Sequence, residues 1–220
     1  MPHAIAVNSI RPVMALPIGS HVVRSLLKEA RVAQETPFDW TQFRLGIYIN
    51  AKPEDLYDYW TTPAGLTRWF LRSAAFAVSD GPPPAKTRKK TILPPFDDLI
   101  PRPDHQRCQA NDRYRWEWYY NGGVVGEQWV LSTRPPTKLT FGFGDRMEVE
   151  VMLRKQGRHC EVGLRQYCIP TTPLAKQNLY MGCRVGWTFF LANLKSVAEG
   201  GLDLRETSRP KTLQLHLVNI

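Results

Sequence analysis

The sequence predicts an α+β fold in which a curved antiparallel sheet wraps around one long C-terminal helix, with two short helices after the first strand. Three observations point there. Between residues 42 and 168, apolar and polar residues alternate in several runs of strand length, so the sheet has one face that needs cover. From Thr172 to Glu199 the period changes to helical, with Tyr180, Cys183, Trp187, Phe190, Leu191, Leu194 and Val197 recurring at helical spacing. No other segment is long and apolar enough to cover the sheet, so the two must bury each other.

Residues 1–40 are expected to form an arm. The first 28 residues carry no acidic side chain, but Pro12 and Pro17 break their apolar runs and no cleavage site follows an apolar core. The pattern predicts a short helix over His21–Gln34; an alternative start at Met14 would remove part of the arm. Residues 41–205 then read as one domain, and 206–220 as a tail.

Gln42 to Asn50 alternates, with Phe43, Leu45, Ile47 and Ile49 on one face. Lys52-Pro53-Glu54-Asp55 opens a first short helix, with proline and acidic groups in its first turn and an apolar stripe of Leu56, Tyr59 and Trp60. Thr61-Thr62-Pro63 caps a second, which carries Leu66, Trp69, Phe70 and Leu71. Ala74 to Val78 follows as a strand. Residues 80–110 are rich in proline and charge and lack periodicity, so they read as an insertion loop with an apolar knot at Ile92–Phe96 and Leu99-Ile100.

Asp112 to Tyr120 is the strongest strand pattern. Tyr114, Trp116, Trp118 and Tyr120 share one face; Arg113, Arg115, Glu117 and Tyr119 share the other. Asn121-Gly122-Gly123 signals a turn. Val124 to Ser132 carries Trp129 and Leu131. Next come Leu139, Phe141 and Phe143, then Met147, Val149, Val151 and Leu153, then Cys160, Val162, Leu164, Gln166 and Cys168 on one face of the last strand. The long helix opens at Thr171-Thr172-Pro173 and closes at Gly200-Gly201. A second apolar set, Met181, Val185, Phe189 and Ala192, makes it apolar around much of its circumference and in need of cover there too.

Composition narrows the function. With 43% hydrophobic and 22% charged residues the chain reads as a soluble, cytoplasmic globular protein with no transmembrane span. A net charge of +9 would suit an acidic partner, but apart from Lys86-Thr87-Arg88-Lys89-Lys90 the basic residues are scattered and no nucleic-acid signature is present. Nucleic acid is therefore not the expected partner. The four cysteines (Cys108, Cys160, Cys168, Cys183) form no C-x-x-C pair and read as small buried hydrophobes in a reducing compartment. No metal site or cofactor is expected: the histidines are dispersed, with only His105-x-x-Cys108 near ligand spacing, and there is no glycine-rich phosphate loop. Catalysis lacks a reagent, because His159 and Cys160 lie on opposite faces of a strand and Glu117, Glu148 and Glu150 fall on polar faces.

The stretches FRLGIYINAKPEDLYDYWTTPAGLTRWF (Phe43–Phe70), DRYRWEWYYNGG and GWTFFLANLKSVAEGGLDLR resemble the family named for the activator of the heat-shock protein 90 ATPase. That family belongs to the START-like (SRPBCC, helix-grip) superfamily. The resemblance covers about residues 41–205 and rests on aromatic and glycine positions without a catalytic signature; the 80–110 insertion departs from compact members. It implies an apolar cavity between sheet and helix, of the kind that holds lipids, sterols or polyketides elsewhere in the superfamily. It also implies two alternatives: a co-chaperone-like regulator of a heat-shock protein 90-type ATPase, and a cyclase or hydrolase working inside the cavity.

The expected cavity residues follow from the alternation. Trp116, Trp118, Trp129, Phe141 and Phe143 come from strands, Tyr180 and Trp187 from the long helix, and Trp60, Trp69 and Phe70 from the short helices at one end. Large aromatics fill cores in any protein, so each is also a packing residue. Taken together they are too bulky to pack easily without a gap. Two polar residues, Gln166 and Arg184, would set specificity; otherwise Gln166 bonds nearby backbone and Arg184 reaches water. The expected partner is a hydrophobic small molecule. An exposed strand edge would permit a homodimer.

Overall fold

A computed structural model describes residues 37–79, 81, 83, 94–119 and 125–207. The chain divides into two compact units, Met1–Phe38 and Asp39–Ile220, and every element named here lies in the second. The expected helix at 21–34, the basic run 86–90, the glycine turn at 121–123, Tyr120 and most of the tail lie outside the described residues.

Eight strands form one antiparallel sheet in the order β1-β8-β7-β6-β5-β4-β2-β3. They are β1 (Phe43–Ile49), β2 (Ser73–Val78), β3 (Ile100–Pro101), β4 (Arg113–Glu117), β5 (Val125–Arg134), β6 (Lys138–Phe143), β7 (Met147–Gln156) and β8 (His159–Tyr167). Register follows the hydrophobic pattern. Phe43, Leu45, Ile47 and Ile49 oppose Gln166, Leu164, Val162 and Cys160, and β7 then places Val149, Val151 and Leu153 against Gln166, Leu164 and Val162. A one-residue slip would turn this whole inner face outward, so burial itself specifies the pairing.

The two short helices, α1 (Pro53–Thr61) and α2 (Pro63–Thr67), close one end of the sheet. Thr62 serves both. Its Oγ1 donates to the Asp58 carbonyl at the end of α1 (2.8 Å) and accepts from the Gly65 N–H at the start of α2 (2.9 Å). Gly65 is required by close approach, since a Cβ there would lie 2.1 Å from the Asp58 carbonyl oxygen. The Trp69 indole donates to the Tyr59 carbonyl (3.0 Å) and locks the pair together.

The C-terminal helix α3 begins as a short α-helical turn, Pro173–Ala175, passes through a π-helical stretch, Lys176–Met181, and continues as regular α-helix over Gly182–Ala198. Thr172 Oγ1 caps its start by accepting from the Ala175 N–H (3.2 Å). Gly200, at φ +83°, supplies the left-handed residue just beyond its end. Among the described residues no helix is long and apolar enough to cross a membrane.

Three sequence expectations are corrected. The end of the 80–110 insertion is not wholly loop: Phe96–Asp98 forms a 3-10 turn and Ile100–Pro101 adds the edge strand β3 beside β2. Two residues of strand are too few to leave a period in the sequence. Cys168 is exposed, not buried, because β8 ends at Tyr167 and Cys168 takes φ +60°, which turns it off the inner face. The second apolar set on α3 is mostly uncovered: Met181 and Val185 are 48% and 51% exposed and Ala192 is exposed, while Phe189 is half-buried beside Phe190. The sheet grips one face of the helix and leaves the other to solvent.

Candidate functional site

The inner face of the sheet and the facing side of α3 meet in one apolar cluster. The backbone of α3 comes close to the sheet along β1. Over β4 to β6, aromatic side chains span the gap. Trp187, one turn into the helix from Cys183, reaches Phe143 (5.4 Å between ring centres), Phe141 (6.5 Å) and Phe70 (5.1 Å). Phe70 meets Trp116 at 5.6 Å and Phe190 at 4.8 Å, mostly edge to face, the arrangement that ring quadrupoles favour. Trp60 and Trp69 close the end beneath α1 and α2, 4.6 Å apart.

Burial is graded across this cluster. Trp60, Trp69, Phe70, Trp116, Phe141, Tyr180 and Trp187 are fully enclosed. Trp118, Phe143, Cys183 and Phe190 are only partly buried and form a rim.

Polar groups within the cluster are few. Gln166 is fully buried, and its Oε1 accepts from Trp187 Nε1 at 2.8 Å, joining sheet to helix. That bond fixes the amide orientation and turns the NH2 toward Met147 Sδ, 3.1 Å away. Tyr114 donates to the Gly142 carbonyl (2.6 Å), and burial pushes its phenol pKa well up. Burial also raises the Cys183 thiol, against a smaller opposing effect of a bond with Gln166, so the thiol stays protonated and unreactive. Trp60 Nε1 and Trp116 Nε1 are buried with no acceptor.

Of the twelve residues singled out by sequence, ten meet in this cluster: Trp60, Trp69, Phe70, Trp116, Trp118, Phe141, Phe143, Gln166, Tyr180 and Trp187. Trp129 does not. It pairs with Arg113 across β4 and β5, which puts it on the outer face, where the Arg113 guanidinium lies 5.9 Å from its ring. Val130 takes the inward place instead, beside a register shift between Val130 and Ser132. Phe96, from the insertion, covers that outer patch, and Arg113 donates to the Pro94 carbonyl and to Glu127. Arg184 is exposed on the far side of α3 and contributes no side chain to the cluster. Sequence reasoning missed Trp40, whose ring packs edge-on against Tyr180 at 5.0 Å; no period marks it, because it precedes β1.

A concavity of about 430 Å³ lies apart from the cluster, beside α1, α2 and the end of α3, lined by Asp55, Asp58, Tyr59, Arg68, His105 and Ala198 among others. Two of its charged groups are engaged locally: Asp58 accepts from Arg107, and Arg68 stacks over Tyr59. Among the described residues no group of three His, Cys, Asp or Glu side chains is placed to hold a metal ion.

No protein-family model matches this chain, and no curated protein does. Solved structures do. The SSP2350 protein from Staphylococcus saprophyticus superposes with a TM-score of 0.53 at 10% identity, over 74% of this chain and 96% of that one. DynU16, a protein in the dynemicin biosynthetic locus, gives 0.52 at 15% identity, over 78% of this chain and 51% of its own. The Aha1 dimer from Colwellia psychrerythraea gives 0.48 at 18% identity, over 73% and 97%. At such identities the likeness shows the fold alone: a helix-grip fold, with a curved antiparallel sheet around a long C-terminal helix.

Proposed function

We propose that this chain is a non-catalytic binding protein that holds a hydrophobic small molecule, such as a lipid or polyketide, between the sheet and α3. The observation that carries the reading is the rim. Where the backbone of α3 stands off from β4 to β6, the bridging side chains Trp118, Phe143, Cys183 and Phe190 are left half-buried, continuous with a fully enclosed aromatic interior. An apolar recess with a few fixed polar groups is the usual form of a small-molecule site. The ionisable groups of the interior, Tyr114 and Cys183, are pushed toward their neutral forms, which favours holding a ligand over proton transfer. Membership of the heat-shock protein 90 ATPase activator family, which the aromatic and glycine positions suggest, belongs to the same proposal, as does a cytoplasmic setting.

Native mass spectrometry of the protein from its own host, followed by organic extraction, tests this reading. A stoichiometric hydrophobic molecule supports it. A ligand-free mass, together with no displacement of a polarity-sensitive dye by any extracted lipid fraction, overturns it and directs the search to a protein partner.

A further inference from the structure

The interior holds unspent hydrogen-bonding capacity, and it is of one kind. Among the described residues, Trp60 Nε1 and Trp116 Nε1 are the buried side-chain nitrogens or oxygens without a partner, on side chains no more than 1% exposed. An indole N–H can only donate. The two indoles flank one pair of touching rings: Trp60 lies 6.0 Å from Trp187, Trp116 lies 5.6 Å from Phe70, and Phe70 and Trp187 are 5.1 Å apart. The amide of Gln166 adds a third donor. Its oxygen is taken by Trp187, while its NH2 faces two sulfurs, the Met147 thioether and the Cys183 thiol, both weak acceptors. The nearby phenols are committed, Tyr114 to the Gly142 carbonyl and Tyr57 to the Lys138 carbonyl.

The buried charges are committed too. Asp112 is bonded by Arg102, Arg113 by Glu127 and the Pro94 carbonyl, and Arg205 by Asp203 and the carbonyls of Leu71 and Thr67. None is left to meet a ligand's carboxylate or ammonium, and an unpaired charge in such surroundings is strongly disfavoured. A ligand hydroxyl would accept from one indole but bring a donor into a site that is short of acceptors.

We infer that the buried end of the ligand is a neutral, ring-bearing hydrocarbon skeleton with carbonyl- or ether-type oxygens, received by the indole N–H groups of Trp60 and Trp116 with the Gln166 amide as a third donor. This rests on the binding site proposed above and specifies its chemistry. Edge-to-face and tilted rings around Phe70 and Trp187 suit the faces and edges of a flat ring system.

The test uses three probes with one skeleton: fluorene, 9-fluorenol and 9-fluorenone. Each is titrated into the full chain, with binding followed by calorimetry and by the indole ¹⁵N–¹H signals, assigned through W60F and W116F. The expected result is that 9-fluorenone binds about tenfold or more tighter than fluorene, the scale of one added hydrogen bond. 9-Fluorenol should gain less and shift at most one indole signal, whereas the ketone should shift both the Trp60 and the Trp116 signals downfield and fluorene neither. If either variant fails to fold, the ketone-to-hydrocarbon ratio in the unaltered protein still decides the matter. Equal affinity for fluorene and fluorenone overturns this inference and leaves the binding site standing; the indoles are then served by neighbouring rings or water. Binding of none of the three at their solubility limits overturns the inference and the site together.

Discussion

Toward its C-terminus α3 is held by polar groups that satisfy one another, whereas its N-terminal half is held mainly by apolar contact and one buried amide. Asn193, fully buried, donates through Nδ2 to the Trp69 carbonyl (2.7 Å) and to Asp203 (3.0 Å), and its Oδ1 accepts from the Leu204 N–H (2.7 Å). Arg205 then reaches the Leu71 and Thr67 carbonyls, each at 2.9 Å, so the segment after the helix is tied to α2. Lys195 donates to the Tyr48 carbonyl and Glu199 accepts from the Asn50 N–H, which fastens the same end to β1. At the other end lie a π-helical stretch, the exposed Met181, Arg184 and Val185, the half-buried Cys183, and the Gln166–Trp187 bond. π-helical turns are uncommon and frequently accompany function. The contrast teaches a division of labour: one end of the helix is fixed by polar bonds to α2 and β1, and the other, with fewer such bonds, is the end that would yield if the proposed ligand enters.

The largest expected effect is at the fixed end. Arg205→Ala removes a buried guanidinium and leaves two carbonyls and the Asp203 carboxylate without it, so about 3–5 kcal/mol of stability should be lost. The urea midpoint measures this, with an unchanged slope showing that two-state unfolding persists. A loss below about 1 kcal/mol would break the comparison, because the clamp would then not anchor the helix.

A smaller loss is expected at the yielding end. Gln166→Leu keeps the volume but removes the acceptor of the Trp187 indole, at a cost of about 1–3 kcal/mol for a donor left unmet. The same variant should weaken ketone binding while sparing fluorene. If it weakens both equally, the amide merely supports packing.

The clamp also gives the two ends different responses to acid. Burial alone would raise the Asp203 carboxyl, but bonds from the Arg205 side chain and backbone and from Asn193 outweigh it and hold the pKa below its ordinary value. A carboxyl lowered by folding contributes stability that is complete above its unfolded pKa and fades as pH falls through its folded value. Urea midpoints taken from roughly pH 5 down to 2 should therefore fall more steeply in the unaltered protein than in Asp203→Asn. Parallel slopes would show that the lowered pKa plays no part in the clamp.

Much of this fold is readable in the sequence because burial imposes periods. Each inner face of β1, β7 and β8 alternates as its pairing requires, and Thr172 and Gly200 mark the ends of α3 by their cap chemistry. What escapes is set by partners distant in sequence. Trp129 alternates like an inward residue, yet register against β4 turns it outward, where Arg113 lies over both its ring and that of Phe96 from the insertion. Cys168 continues the parity of β8, but a positive φ removes it from the face. Asn193 looks like an ordinary polar helix residue. Its three bonds become visible only when Trp69, Asp203 and Leu204 converge on it. At the candidate site, residue types were legible and hydrogen-bond partners were not: Gln166 finds an indole rather than backbone, and Arg184 faces solvent.

The smallest expected effect tests the open face of the helix. Met181 and Val185 stand four residues apart, each about half exposed, with Leu174 exposed nearer the start of α3. Apolar side chains already in water lose little when made polar, so Met181→Ser and Val185→Ser should each change stability by no more than about 0.5 kcal/mol. Thermal midpoints taken across a hundredfold range of protein concentration measure this and expose any self-association. A midpoint that rises with concentration in the unaltered protein, and stops rising in the serine variants, would mean that a second copy covers this face. The N-terminal half of α3 would then be clamped by a neighbour, and the freedom assigned to it would be lost in the dimer. Concentration-independent midpoints with near-zero changes would leave the asymmetry of the helix as drawn, with its firm end bonded and its other end open to solvent on one side and to the aromatic interior on the other.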